Sequence, residues 1–127
     1  CQRVEDRETF GKKLSQHQSI RENIAKSYAE LEMARLLVHK TCWHIDHHGV
    51  KPSIELISAT KISVPLMIQA IIDRCMQMHG AGGLTEDWCM AEQFNYARWC
   101  RQADGPDEVH QMALGKRIIQ QYAEASA

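Results

Sequence analysis

The sequence has no Cys-x-x-Cys pair, and its five cysteines (Cys1, Cys42, Cys75, Cys89 and Cys100) are odd in number. Neither a zinc site nor a disulfide framework is therefore expected, and the thiols read as small apolar core residues in a reducing compartment. An excess of one charge is also missing. Fifteen Lys and Arg against sixteen Asp and Glu leave a formal charge of −1, which gives no electrostatic footing for nucleic acid. Mean hydropathy is −0.41, and no uninterrupted apolar run approaches the roughly 20 residues needed to cross a bilayer, so no membrane span is expected. Low-complexity tracts, internal repeats and the period-two alternation of a half-buried strand are absent as well.

What is present is helical periodicity. Ile20, Ile24, Tyr28, Leu31, Ala34, Val38, Cys42 and Ile45 recur every three or four residues and predict an amphipathic helix from about Ser15 to His48. Gly49 stops it, and Lys51-Pro52-Ser53 makes the turn. A second helix is expected over Ser53–His79. Its apolar positions (Ile54, Ile57, Ile62, Val64, Leu66, Ile68, Ile71, Ile72, Cys75 and Met76) are too widely spread for one face, which predicts a central helix. Pro65 should kink it or free a carbonyl. Gly80-Ala81-Gly82-Gly83 ends it, and Thr85 is expected to cap a shorter helix carrying Trp88, Met90, Ala91, Phe94 and Ala97. The last helix should run from about Pro106 to Glu124, with Val109, Met112, Ala113, Leu114 and Ile118 or Ile119 turned inward. Short connections favour antiparallel neighbours, so the expected fold is an all-α, up-and-down four-helix bundle, preceded by the tail of another helix near Val4. The opening Cys1-Gln2-Arg3-Val4 carries neither a Met, a signal-peptide pattern nor a helix cap. Residues 1–127 thus read as one domain cut from a longer protein, its first helix truncated.

Four groups of residues invite a chemical reading. Asp104-Gly105-Pro106-Asp107-Glu108-Val109-His110 places three carboxylates at the mouth of the last helix. Asp107 and Glu108 suit the positive helix end as caps, whereas Asp104, before the Gly-Pro step, can project into a cavity and act as a general base. His44, His47 and His48 share a helix face, but no second cluster completes a ligand set and paired Glu-x-x-His motifs are missing, so no metal is expected. The Gly80–Gly83 run either lets backbone approach a ligand or simply ends a helix. Arg7-Glu8-Thr9-Phe10-Gly11-Lys12-Lys13 is a basic loop with an aromatic plug, able to hold phosphate through Arg7 or to serve as an ordinary connection. Arg98 and Arg101 can pair with the acids that follow them.

The order of these groups is more specific than any one of them. Arg7-x-Thr9-Phe10-Gly11-Lys12, Leu14, His17-Gln18, Glu32-x-Ala34-Arg35, Gln77-x-x-Gly80-Ala81-Gly82-Gly83 and Asp104-Gly105 together resemble the C-terminal helical domain of the acyl-CoA dehydrogenases. The resemblance covers the whole chain. The string Ala103 to His110 is similar to the subgroup of family members 10 and 11.

The resemblance implies an FAD-dependent enzyme that removes an α-proton and a β-hydride from an acyl-CoA thioester. The carboxylate at Asp104 would take the proton and flavin N5 the hydride. The thioester carbonyl would be held partly by the N–H of the base residue, a preorganised donor for the developing enolate. Arg7, Thr9, Phe10, Leu14, His17, Gln77, Gly80 and Ala81 match the family's contacts to the FAD of a neighbouring subunit, and Ala103 and Gly105 flank the substrate. A homodimer or homotetramer sharing FAD across its interface, an electron-accepting flavoprotein partner, and a cytoplasmic or mitochondrial location are the further implications.

Three departures from the family pattern matter. Asp104 stands where most members have Glu, one methylene or about 1.5 Å of reach less. Pro106 replaces a Thr whose hydroxyl can bond the flavin, and Ala103 replaces an aromatic residue and widens the acyl pocket. The other reading is a non-catalytic helical bundle that serves oligomeric assembly. Retention of Arg7, Phe10, Gln77 and Asp104 together favours the enzyme.

Overall fold

A computed structural model describes residues 1–126. Its elements are α1 (Gln2–Asp6), a hairpin of β1 (Glu8–Thr9) and β2 (Lys12–Lys13), α2 (Gln18–His48), α3 (Ile54–His79), α4 (Met90–Cys100) and α5 (Asp107–Ala125). The all-α class holds, and α1 is the expected helix tail, with Val4 buried. The hairpin is the one departure in class. Two-residue strands pair Glu8 with Lys13 and Thr9 with Lys12. They are closed by Phe10 and Gly11 at φ 53° and 76°, the two positive values that a type I′ turn demands. A sequence without alternation can form such a ribbon because the turn geometry alone sets it.

Helix α3 is the hub and packs against α2, α4 and α5, as its broad apolar distribution predicts. Polar ties fix these pairs. Buried Thr41 of α2 meets Thr60 of α3 at 2.8 Å between hydroxyls, and Arg74 of α3 is ion-paired with Glu30 of α2. Gln121 and Arg117 of α5 both reach Glu55 at the start of α3. Pro65 lies buried within α3.

Several inward assignments need correcting. On α2 the side toward α3 carries Ala34, Leu37, Val38, Thr41 and Ile45, while Tyr28, Leu31 and Cys42 face out. On α5, Val109, Met112, Ala113, Ile118 and Ile119 are exposed, and Leu114 alone of the expected set is half-buried. Each helix has two apolar sides, and a single chain covers only one of them. Among the described residues the buried apolar side chains are Val4, Ala97 and Pro65. The cysteines follow suit: Cys1, Cys42 and Cys89 are exposed rather than core.

Thr85 does not cap a helix through its side chain. Its hydroxyl turns to the Gly82 carbonyl and the Asp87 carboxylate, and a short 3-10 turn over Glu86–Trp88 delays α4 until Met90. Pro106 is the residue before α5 rather than its first helical one.

The expectation about membrane spans also changes. By length and composition alone, one helical stretch, Lys51–Leu84, is apolar enough to cross a bilayer, its richest window averaging a hydropathy of 1.4. The small and weakly polar residues between its aliphatic ones break every apolar run without lowering the average much. In the fold this stretch contains the hub helix, wedged among three neighbours.

Candidate active site and cofactor surface

Asp104 sits in the turn between α4 and α5. Its φ is 56°, and that of Gly105 is 102°. Among non-glycine residues Asp and Asn accept the left-handed region most readily, since a short polar side chain can bond locally there. The turn thus gives a backbone reason for Asp where a longer acid would carry more strain. Asp104 lines an open groove of about 430 Å³ with Lys61, Val64 and Pro65 of α3, Tyr96 and Trp99 of α4, and Ala103. Tyr96 and Trp99 stack with ring centres 5.4 Å apart. No acceptor among the described residues meets the Asp104 N–H, which is left available to an incoming carbonyl.

The turn is braced on both sides. Asp107, expected as a cap, makes no cap hydrogen bond; it is buried and receives the Arg101 Nε–H at 2.7 Å. Because Pro106 occupies the cap position, Asp107 falls on the first helical residue and turns back toward α4. Arg101 also donates to Gln69 Oε1 on α3 at 3.0 Å, so the pairing expected for Arg101 is present and anchors the turn to the hub. On the other side His110 reaches the Asp104 carbonyl oxygen at 3.1 Å and Ser58 Oγ at 3.4 Å. Neither Ser58 nor His110 is among the expected site residues. The signal was faint: a small polar residue on an apolar helix, and a His one turn inside the acidic helix mouth.

The remaining predicted residues gather elsewhere. Arg7 is exposed at the end of α1, and its carbonyl accepts from the Leu14 N–H at 2.8 Å. Phe10 is 97% exposed at the hairpin tip, edge-on to His17. His17 Nε2 lies 3.3–3.4 Å from the Thr9 carbonyl and hydroxyl oxygens, so Thr9 and His17 brace the hairpin, with Leu14 half-buried beneath. The Ser15 hydroxyl, and after it the Lys13 ammonium, hold the Glu5 carboxyl below the usual carboxylate range and fasten the hairpin to α1. Gln77, Gly80 and Ala81 are exposed at the far end of α3. A Cβ at Gly80 would meet only open space, whereas Gly83 of the same run is buried against the Met76 backbone.

The Asp104 turn lies far from the end of α3 around residues 77–81, where α1 reaches through the cleft that Arg3 and Asp6 share with His79. Ser58, under the Asp104 turn, precedes Gln77 by nineteen positions on one helix, and at 1.5 Å per residue the two ends lie about 28 Å apart. Of the histidines first weighed as ligands, His44 bonds Ser53 Oγ at 2.8 Å and His47 its own helix at the Trp43 carbonyl.

The described residues form a helical domain with Asp104 in the wall of a groove at one end of α3 and an exposed glycine loop at the other. Residues 1–119 match the family described as "Acyl-CoA dehydrogenase, C-terminal domain", and the chain belongs to that family. It is 45% identical over 114 residues to acyl-CoA dehydrogenase family member 10 of Mus musculus, covering 90% of this chain and 11% of that protein. It is 40% identical over 116 residues to family member 11 of Gallus gallus, covering 91% and 15%. Among solved structures, a putative acyl-CoA dehydrogenase from Mycobacterium abscessus superposes with a TM-score of 0.93 at 38% identity, over 96% of this chain and 30% of that one. The chain therefore spans a small part of the relatives it matches.

Proposed function

We propose that this chain is the C-terminal domain of an FAD-dependent acyl-CoA dehydrogenase in which Asp104 is the α-proton base. The observation that carries this reading is the place of Asp104: a left-handed turn braced from α3 and α4 puts this residue in the wall of a groove that also carries Val64, Pro65, Tyr96 and Trp99. A saturated acyl chain fits such walls. The Asp104 N–H, free of internal partners, is placed to polarise the thioester carbonyl as the carboxylate of the same residue takes the α-proton. One residue then supplies both proton acceptor and oxyanion donor, the preorganisation that acyl-CoA enolisation needs.

The hairpin and glycine-loop residues fit a flavin dinucleotide. Arg7 offers an exposed guanidinium for pyrophosphate, Phe10 an exposed flat ring, and the open side of Gly80 and Ala81 a backbone that a ligand can approach closely. When bound, FAD accepts the β-hydride. The separation of about 28 Å along α3 supports a shared cofactor arrangement, in which the hairpin and glycine loop hold a neighbouring subunit's FAD while Asp104 works at its own. Homo-oligomerisation, an electron-accepting flavoprotein and an intracellular site of action, cytoplasmic or mitochondrial, belong to the same proposal. A purely assembling bundle would explain the exposed apolar helix faces, but it gives no reason for a left-handed acidic residue in the wall of a groove.

The test is Asp104→Asn in the full-length, flavin-loaded enzyme. Flavin content and acyl-CoA binding should stay near parental values, and flavin reduction in stopped flow should slow by about 10²-fold or more. Asp104→Glu should also be slower, because the left-handed backbone suits the shorter acid. Parental reduction by the Asn variant would move proton abstraction to another residue.

A further inference from the structure

Asp104 and Gly105 are consecutive left-handed residues, and no regular ladder holds such a pair. Even Asp, which tolerates this region better than most residues, is held there against its backbone preference, so contacts from outside the turn help to hold it. His110, in the first turn of α5, is in place to do so. Its Nε2 lies 3.1 Å from the Asp104 carbonyl oxygen and its Nδ1 3.4 Å from Ser58 Oγ. Its ring also lies against Gly105, with Nε2 3.0 Å from where a Cβ would stand. A carbonyl oxygen can only accept, so Nε2 bears the proton and Nδ1 accepts from the Ser58 hydroxyl. Ser58 is 4% exposed, and among the described residues its hydroxyl meets no other side chain. A relay thus runs from the hub helix through an imidazole to the peptide of the candidate base.

We propose that His110 is a positioning residue for Asp104. By gripping the Asp104 carbonyl it fixes the backbone torsions of that residue, and with them the directions of both the carboxylate and the N–H. The shorter acid makes this grip consequential. Asp has one side-chain torsion fewer than Glu, so its carboxylate follows the backbone closely and cannot correct a backbone error by changing rotamer. Ser58 is the anchor on the hub, and Gly105 is the residue whose missing side chain lets the imidazole approach. The inference rests on the reading of Asp104 as base.

The experiment uses the full-length, flavin-loaded enzyme, with the straight-chain saturated acyl-CoA that reduces the parent flavin fastest in a chain-length series. His110→Phe should lower flavin reduction at saturating acyl-CoA by about 10²-fold, the scale of a misplaced catalytic group, while flavin content and the acyl-CoA Kd stay parental. The isotope effect with α-deuterated thioester should rise, because proton abstraction is the step that loses its geometry. His110→Gln, whose amide nitrogen can stand near the place of imidazole Nε2, should recover most of the rate. Asp104→Asn combined with His110→Phe should be no slower than Asp104→Asn alone, since positioning is worthless without the base. Should His110→Phe fail to load flavin, Ser58→Ala gives the same reading through a smaller slowing of the same step. Nitrogen-15 NMR of the His110 ring should show the Nε2–H tautomer, and the Nδ1–H form would refute the grip whatever the activity. Parental reduction by both His110→Phe and Ser58→Ala, beside a slow Asp104→Asn, would overturn the positioning role and leave the base in place. A fast Asp104→Asn would overturn both.

Discussion

Gly83→Ala puts a methyl carbon where two backbones already touch. A Cβ on Gly83 would lie 2.7 Å from the Met76 carbonyl oxygen, 2.8 Å from its Cα and 3.1 Å from its carbonyl carbon. Carbon–oxygen contacts settle near roughly 3.3 Å and carbon–carbon contacts near about 3.5–4.0 Å. The loop must therefore lift from α3 by about 0.6–0.9 Å by the same contact distances. All three neighbours are backbone, so no rotamer change relieves the overlap. Overpacking of this kind costs about 1–3 kcal/mol, and Ala regains about 0.4–1 kcal/mol of that through its less flexible unfolded chain. The net loss should be about 1–2 kcal/mol, a fall in Tm of roughly 3–10 °C for a domain of this size. Thermal unfolding followed by far-UV circular dichroism measures it, and Gly82→Ala is the control. Its Cβ would meet Trp88 Nε1 at 3.5 Å, an ordinary contact, so its Tm should hold or rise. Equal Tm values for the two variants would refute the close approach of loop and helix. If Gly80 and Ala81 hold FAD as proposed, the same lift would displace them in the full-length protein, so flavin content should fall with Gly83→Ala and not with Gly82→Ala.

Two further substitutions test the frame around the base turn. Asp107→Ala strips Arg101 of a partner whose side chain is 8% exposed; urea denaturation should show a loss of about 2 kcal/mol, the scale of a hydrogen bond to a charged group, and an unchanged midpoint would remove this brace from the account. Gly115→Ala, mid-helix in α5 with nothing within 4 Å of the new methyl, should raise stability by about 0.5–1 kcal/mol, and a loss there would mean that this face of α5 is already packed against something.

The long helices were legible because their evidence is redundant. Over α2 and α3 periodicity persists for 31 and 26 residues, and Gly49 and Gly80 mark both stops. Which side of α2 faces the hub was not legible, since Leu31 is as apolar as Leu37 and Val38. Periodicity finds an apolar stripe; it does not rank two stripes when only one is covered within a single chain. The hairpin failed for a local reason. Phe10 is a poor residue for positive φ, and a type I′ turn is ordinarily announced by Asn-Gly or Asp-Gly. Thr85 failed because two other acceptors, the Gly82 carbonyl and the Asp87 carboxylate, outcompete a helix end for its hydroxyl.

The candidate site was legible in the residues that propose it and not in the contacts that support its turn. Asp104 stands out by its place before Gly105-Pro106, and Arg7 and Phe10 by charge and aromaticity in a short polar segment. Ser58 and His110 are 52 positions apart in the chain, and nothing in either neighbourhood names the other. Asp107 was misread because capping is decided by one residue of register: with Pro106 at the cap, the next carboxylate falls inside the helix and turns back to Arg101.

The same register links stability to chemistry. Pro106 fixes where α5 begins, which places Asp107 on Arg101 and His110, three positions later and on the same helical face, against the Asp104 carbonyl. One helix start thus determines an ion pair to Arg101 at the end of α4, a hydrogen bond to Asp104 and a contact to α3 through Ser58. Moving that start by one residue would rotate both side chains by about 100° around the helix and release the turn from both supports. The left-handed turn could then relax, and the carboxylate would lose its direction while the bundle kept its fold. The brief string from Asp104 to His110 therefore reads best as one device: an acid, the glycine that lets it be gripped, the proline that sets the register, and the two side chains, Asp107 and His110, that hold the turn in place.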